Sequence, residues 1–441
     1  MNYKKSKYNY YCFNKDDILI FNTLNGSFSK ITKEKFKSYE FLKNNSFNES
    51  NKYLLNAGII IPKDIDEEIL YNKYKHSIIE NHILSIVIII TSKCNFRCKY
   101  CFESDYRFQP NDLTEEYANK IIRFISKNIN KYSGLSITWF GGEPLLKLDR
   151  IKRISKQIIN LCNCAKKFYT ASIITNGYLL NKNVFCELLE CKIREYQITI
   201  DGLKSTHDKL RPLKNGIGTF KVITKNLKEI KDVQGSYRIS LRTNCNINVL
   251  SNIEEYVNYF ENMFGSDNRF KIYLNPIYNA GGSFNKEMGP TLLRLNEYDL
   301  ALILLDLLKN KSHFDEDWII SRLNPRVLCG AYLMGNYVFS EKGQVCKCST
   351  HYQNDDICVI GSINNRVEID TCKEAIWLFN LDEYDTCKEC KFKPICFSNQ
   401  CPYHKLRNDI NNKICFLKED NNLKLSKLLI AMDEMGMFKS I

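Results

Sequence analysis

The run Thr91-Ser-Lys-Cys94-Asn-Phe-Arg-Cys98-Lys-Tyr-Cys101 constrains this chain more than any other segment. It sets three thiols in the spacing Cys-x3-Cys-x2-Cys, directly after an apolar run from Ile83 to Thr91. A short apolar run rich in β-branched residues reads as a buried strand, which puts the cysteines on the loop at its end. A cubane [4Fe-4S] cluster takes four ligands, and thiolates are its usual ones. Three close-spaced thiolates hold three irons and leave the fourth open. An open position marks a catalytic metal site, whereas a structural site is closed. A zinc site would want a fourth Cys or His, and none follows close by.

Length and composition fit this picture. A chain of 441 residues suggests about three domains at roughly 150 residues each. At 44% hydrophobic residues it can bury real cores, which excludes a disordered tail. No stretch approaches a membrane span, and the first residues lack a secretory apolar region, so a cytoplasmic protein without a membrane partner is expected. In a reducing compartment, 19 cysteines are expected to bind metal rather than cross-link. The net charge of +13 is spread through Lys-rich segments and reads as a solvated surface. No aromatic-interleaved basic stripe favours nucleic acid, although attraction to an acidic peptide stays open.

Three regions follow one another. Residues 1–80 carry an apolar run (Ile18 to Phe21), a turn signal at Asn25-Gly26 and a short strand from Ser27 to Ile31, a hairpin pattern. Helical spacing from Thr32 to Leu42, a short helix near Leu54 and a strand from Ile59 to Ile61 complete a winged-helix-like α+β module. Residues 83–310 alternate strands (Leu84–Ile90, Ser136–Phe140, Phe168–Thr175, Tyr196–Asp201, Tyr237–Thr243, Phe270–Asn275) with amphipathic helices. The clearest helix opens at Thr114, carries Glu115 and Glu116 in its first turn, and buries Ile121, Ile122, Ile125 and Ile129. The fold class predicted is α/β, a partial (β/α)6 barrel with its site at the C-terminal strand ends. Cys94, Gly141, Thr175, Asp201 and Thr243 all lie at or just after such ends. Residues 320–441 have weak periodicity and dense cysteine, a region expected to be held together by metal.

The triplet Cys94/Cys98/Cys101, with Tyr100 before its last cysteine, resembles the signature of radical S-adenosylmethionine (SAM) enzymes. The resemblance implies a [4Fe-4S] cluster whose open iron binds the amino and carboxylate groups of S-adenosyl-L-methionine, and a 5′-deoxyadenosyl radical made by reductive cleavage. Gly141-Gly142-Glu143-Pro144, about 40 residues on and after a strand, looks like the family's GGEP motif, which contacts the methionine amine. Thr175-Asn176-Gly177 and Thr199-Ile200-Asp201-Gly202 resemble the next strand ends, where polar residues face the cofactor, here Asn176 and Thr199. The run from His207 to Pro212 looks like the peptide-modifying branch. In it, Arg211 is placed to serve a carboxylate in bidentate fashion and His207 is expected to be structural.

The C-terminal cysteines resemble a second pattern, the SPASM domain: Cys329, then Gly343-x4-Cys348, then Cys387-x2-Cys390-x5-Cys396-x4-Cys401, then Cys415. One more residue separates Cys396 from Cys401 than in the family, which puts the assignment of Cys401 in question. The family's interleaved ligation implies two auxiliary [4Fe-4S] clusters, one on Cys387, Cys390, Cys396 and Cys415, the other on Cys329, Cys348 and Cys401. The fourth ligand of the latter is Cys346 or an open iron. The remaining cysteines, Cys358 among them, read as small buried hydrophobes.

The function expected is a radical SAM oxidoreductase that matures a ribosomally made (RiPP) precursor peptide. It would abstract a hydrogen and install a crosslink, read here as a cysteine thioether of the sactipeptide or ranthipeptide type. The implied partners are a precursor peptide with its leader and a reductant such as flavodoxin or ferredoxin. The first 80 residues fit a leader-recognition module with an exposed strand edge. An anaerobic sulfatase-maturing enzyme is the alternative. Those enzymes place an Asp base immediately after the Gly-x4-Cys cysteine, where this chain has Ser349. A non-catalytic iron–sulfur carrier or peptide-binding scaffold is the second alternative.

Overall fold

Alternating β-branched runs and amphipathic helices lay six strands side by side in the computed structural model. It describes residues 3–40, 49–103, 110–277, 288, 297–308, 323, 329–352, 356–379, 387–396, 401–407 and 419–440. The strands are Ile83–Thr91, Gly134–Gly141, Phe168–Thr175, Ile193–Thr199, Arg238–Cys245 and Phe270–Pro276, and each pairs in parallel with the next. Helices cover one face. Thr114 caps Glu115–Asn128 by accepting from the Tyr117 amide, and Ile121 and Ile125 are buried beneath it. The sheet turns Leu135, Ile137 and Trp139, and likewise Ile239 and Leu241, toward those helices.

The other face is polar. Ser136, Thr138, Ser172, Gln197, Ser240 and Arg242 alternate with the apolar residues and are half-buried. Thr138 bonds Ser172 at 2.9 Å, and Tyr273 donates to Gln197 at 2.8 Å. Thr138, Ser172, Gln197, Ser240 and Tyr273 line a cavity of about 410 Å³. A sheet with both faces covered would carry uninterrupted apolar runs; this one alternates because its inner face is open.

The third region continues that sheet. Asn336–Phe339 pairs in parallel with the first barrel strand, from Asn336 opposite Ser85 to Phe339 opposite Ile88. Gln344–Cys346, Val359–Ile363 and Val367–Ile369 then extend it antiparallel to ten strands. So residues 336–369 are organised by backbone pairing rather than by metal alone.

The N-terminal hairpin forms as expected, Asp17–Asn22 against Ser27–Thr32, with Gly26 at φ 74° in the turn. Two further strands join it. Asn9–Asn14 pairs antiparallel with Asp17–Asn22, and Lys439–Ser440 pairs in parallel with Ser27–Thr32. The first helix runs over Lys33–Glu40, and the rest of its expected span, 41–42, lies outside the described residues. The helix near Leu54 is Glu49–Asn56, and Ile60–Pro62 pairs with Tyr3–Lys5. Helix Glu419–Glu434 packs across this sheet. Tyr10 donates to the Asn422 carbonyl at 3.1 Å, and Lys424 bonds Asp299 of helix Glu297–Leu308 at 2.8 Å. Among the described residues no helix is long and apolar enough to cross a membrane.

Candidate active site

The cysteine loop leaves the first strand and is held from three sides. Thr91 Oγ1 donates to Asp112 at 2.6 Å, and Asp112 pairs with Lys93 at 2.8 Å and Lys147 at 2.7 Å. Burial works against ionisation of Asp112, yet Lys147, Lys93 and Thr91 hold its carboxyl well below the usual range. Main-chain bonds from Arg97 to Pro212 (2.8 Å) and from Lys99 to Leu210 (3.0 Å) dock the loop on the turn after the fourth strand. The run from His207 to Pro212 therefore props the cysteines with its backbone. Cys94 and Cys98 are buried and Cys101 half-buried.

The second strand closes the third side. The Gly142 amide donates to the Thr91 carbonyl at 2.9 Å and the Glu143 amide to the Lys93 carbonyl at 2.8 Å. Gly141 has φ 132°, and a Cβ there would stand 2.2 Å from the Thr91 carbonyl oxygen; one at Gly142 would stand 2.4 Å from that of Lys93. Glycine admits close backbone approach, and the backbone that these two admit is the cysteine loop's own. Glu143 is fully buried and organises the strand ends. It accepts from Leu145 N (3.0 Å), Thr175 Oγ1 (2.8 Å) and Asn176 N (2.8 Å). Burial raises its carboxyl despite those donors. Pro144 starts the short turn behind it, and Asn176 reaches Asn95 of the cysteine loop at 2.8 Å.

Across the mouth, Tyr100 joins the loop to the fourth and fifth strands. Its hydroxyl donates to Asp201 Oδ2 and accepts from Arg211 Nη1 (2.6 Å) and Asn244 Nδ2 (3.0 Å). Asp201, fully buried, also accepts from the Asn244 amide at 2.8 Å, and Arg211 stands 3.8 Å from it. Burial raises the Asp201 carboxyl, and Arg211 leads the groups that oppose this. His207 is structural. Its Nδ1 accepts from the Asp201 amide at 3.1 Å and its Nε2 bonds Thr219 at 3.0 Å; burial and then Arg211 lower its pKa to about 3. Thr199 ends the fourth strand, buried, opposite Arg242. Asn244 and the Tyr100 hydroxyl escaped the sequence reading. The polar residues bunched at the strand ends were the available signal.

This donor set fits a cubane with its sulfonium cofactor. Three thiols on one loop can each bind a separate iron of a cubane and leave the fourth iron open. The buried Arg211 keeps an Nε–H with no partner among the described residues, a donor left over for an anion.

Among the C-terminal cysteines, Cys329 and Cys401 are exposed and Cys348 half-buried. The charges of Cys348 and Cys401 both act to raise the Cys329 thiol. Cys346 is buried and bonds the Tyr352 carbonyl, and contact with it leads the causes that push Cys358 up to about 12. Cys387 and Cys390 share a turn, and Cys396 ends the short helix Lys393–Cys396. Cys415 lies outside the described residues.

Residues 88–248 match the family described as the Radical SAM superfamily. The chain is 25% identical over 228 residues (45% of this chain, 46% of the relative) to the radical SAM cyclopropyl synthase TigE of Paramaledivibacter caminithermalis. It is 24% identical over 341 residues (70% and 85%) to the cysteine-type anaerobic sulfatase-maturating enzyme of Clostridium novyi. It spans about half the length of the curated relatives that head the comparison, 46% and 57%. Its fold resembles that of native anSMEcpe with bound AdoMet and Cp18Cys peptide, with a TM-score of 0.58 and 17% identity over 80% of this chain and 98% of that one. The segment that matches the Radical SAM superfamily, residues 88–248, lies within the half-barrel whose first strand delivers three thiols to its mouth.

Proposed function

We propose that this protein is a radical SAM maturase of a ribosomally made peptide, and that it closes a thioether between a peptide cysteine and a peptide carbon. The cysteine loop locked at the barrel mouth carries the reading. When bound there, the cluster and S-adenosylmethionine would supply the hydrogen-abstracting radical. Cys94, Cys98 and Cys101 would hold the iron, and Glu143, Asn176, Thr199 and Arg211 would frame the sulfonium ligand. The polar concave face offers backbone-binding groups to an extended chain, and the N-terminal sheet is the element to which a leader would add a strand. The product loses two hydrogens. One would leave with the abstracting radical and the other as the thiol proton; the C-terminal cysteines would hold the group that takes up the remaining electron.

The sulfatase-maturing reading stays second because one of the relatives named above shares 70% of this chain's length. Ser349 stands against it, since a hydroxyl titrates far too high to act as the base. Co-expression with a short cysteine-bearing peptide encoded beside this chain, followed by mass spectrometry, separates the two. A loss of two hydrogens per cysteine supports the maturase. Conversion of a sulfatase cysteine to formylglycine, with the peptide unchanged, would overturn it.

A further inference from the structure

One edge of the N-terminal sheet, that of Ser27–Thr32, is taken. Ser27–Thr32 is the last strand of its meander, and on its outer side lies Lys439–Ser440, with Lys439 opposite Ser29 and Ser440 opposite Lys30. Phe438 is buried and meets Phe28 edge-on, ring centroids 5.4 Å apart. Met437 lines a groove of about 330 Å³ beside the strand, together with Ser27, Ser29, Tyr53, Asn56 and Ala57. Among the described residues, Ser27, Phe28, Ile31 and Thr32 have no strand partner on that side.

The segment reaches the edge through one cap. Gly436 follows helix Glu419–Glu434 at φ 76°; its amide donates to Asp433 O at 2.9 Å, and the Met437 amide donates to Met432 O at 3.1 Å. These are the two bonds of a Schellman cap, and the glycine supplies its left-handed residue. The helix is itself fixed to the same sheet, with Asp433 3.0 Å from Lys30 and 3.1 Å from Asn14. A strand tethered this closely acts at high effective concentration, so even a two-residue pairing keeps the edge filled.

We propose that Met437–Ser440 is a resident strand reserving the edge of Ser27–Thr32, and that an extended precursor segment with an aromatic side chain gains this edge by replacing it. This rests on the peptide-maturase reading. A sheet edge otherwise recruits any extended chain, and the resident strand raises the threshold for entry. Occupancy multiplies the affinity of an incoming peptide by the fraction of molecules with the edge open. The short pairing is suited to exchange, and the groove beside it leaves room for the newcomer's side chains.

The probe is a fluorescent peptide carrying residues 433–441. It is titrated by anisotropy into the full chain, a chain lacking residues 437–441, and a Gly436→Ala chain. Alanine at 436 meets no atom within 4 Å, so it disturbs only the cap's backbone. The peptide should bind the shortened chain at least tenfold more tightly than the full chain, with Gly436→Ala between them. A Phe438→Ala peptide should bind the shortened chain at least tenfold more weakly. Equal binding to full and shortened chains, equal binding of the two peptides, or no binding to a shortened chain of unchanged circular dichroism overturns the proposal. A precursor peptide that is modified without displacing the probe would sink leader docking at this edge while leaving the resident strand in place.

Discussion

Tyr100 shares one hydroxyl among Asp201, Arg211 and Asn244, so a single oxygen ties the cysteine loop to two strand ends and the turn between them. Tyr100→Phe leaves Asp201 short of a donor in a fully buried position. It should lower stability by ~1–3 kcal/mol in denaturant titration and weaken the spectral response of the reduced cluster to added S-adenosylmethionine. An unchanged midpoint and response would show that the hydroxyl holds nothing. His207 makes a second prediction. The unfolded imidazole takes up a proton near pH 6.5, whereas the buried one resists until about 3. The unfolded chain thus binds the extra proton in that window, and stability falls as pH drops below 6.5, by roughly 1.4 kcal/mol per unit. His207→Gln keeps an acceptor and a donor, so between pH 6.5 and 5 its stability should fall by roughly 2 kcal/mol less than that of the native chain. Parallel urea titrations at those two values check this. The cysteines and glycines were legible because their chemistry is local in sequence. Asn244 was not, since 144 positions separate it from Tyr100 and only the sheet brings them together.

At the scale of elements, the loops after the first and second strands touch backbone to backbone. Gly142→Ala would set a methyl 2.4 Å from the Lys93 carbonyl oxygen and 2.7 Å from that of Ser92. The loop must move, at ~1–3 kcal/mol, and the thiols move with it. Reconstituted Gly142→Ala protein should lose iron from the Cys94/Cys98/Cys101 site while the C-terminal cysteines keep theirs; full iron content would contradict the packing argument. The long barrel strands were readable because each carries an apolar face through seven residues or more. Gln344–Cys346 and Val367–Ile369 have three residues each, too few to show a period, and they are strands because a neighbour is already in place. Asn9–Asn14 hid in a mixed run, Asn-Tyr-Tyr-Cys-Phe-Asn, that alternation alone does not mark as a strand.

Across the whole molecule, two kinds of cohesion meet. Residues 336–369 are sewn into the barrel sheet, whereas residues 387–407, where described, have only short helices and turns. Removing iron with a chelator should therefore raise hydrogen exchange over 387–407 and leave 336–346 protected. Uniform loss of protection across both would mean that metal, not pairing, builds the third region. The ten-stranded continuity was not legible, because sequence order does not reveal that Asn336–Phe339 returns to the edge of Ile83–Thr91. All of this matters only if the barrel mouth holds a cluster that S-adenosylmethionine can reach. Electron paramagnetic resonance of anaerobically reconstituted, dithionite-reduced protein tests that directly. The account predicts a cubane signal whose g-values shift when S-adenosylmethionine is added, and no such shift in Cys98→Ala. A native spectrum indifferent to the added cofactor would contradict it.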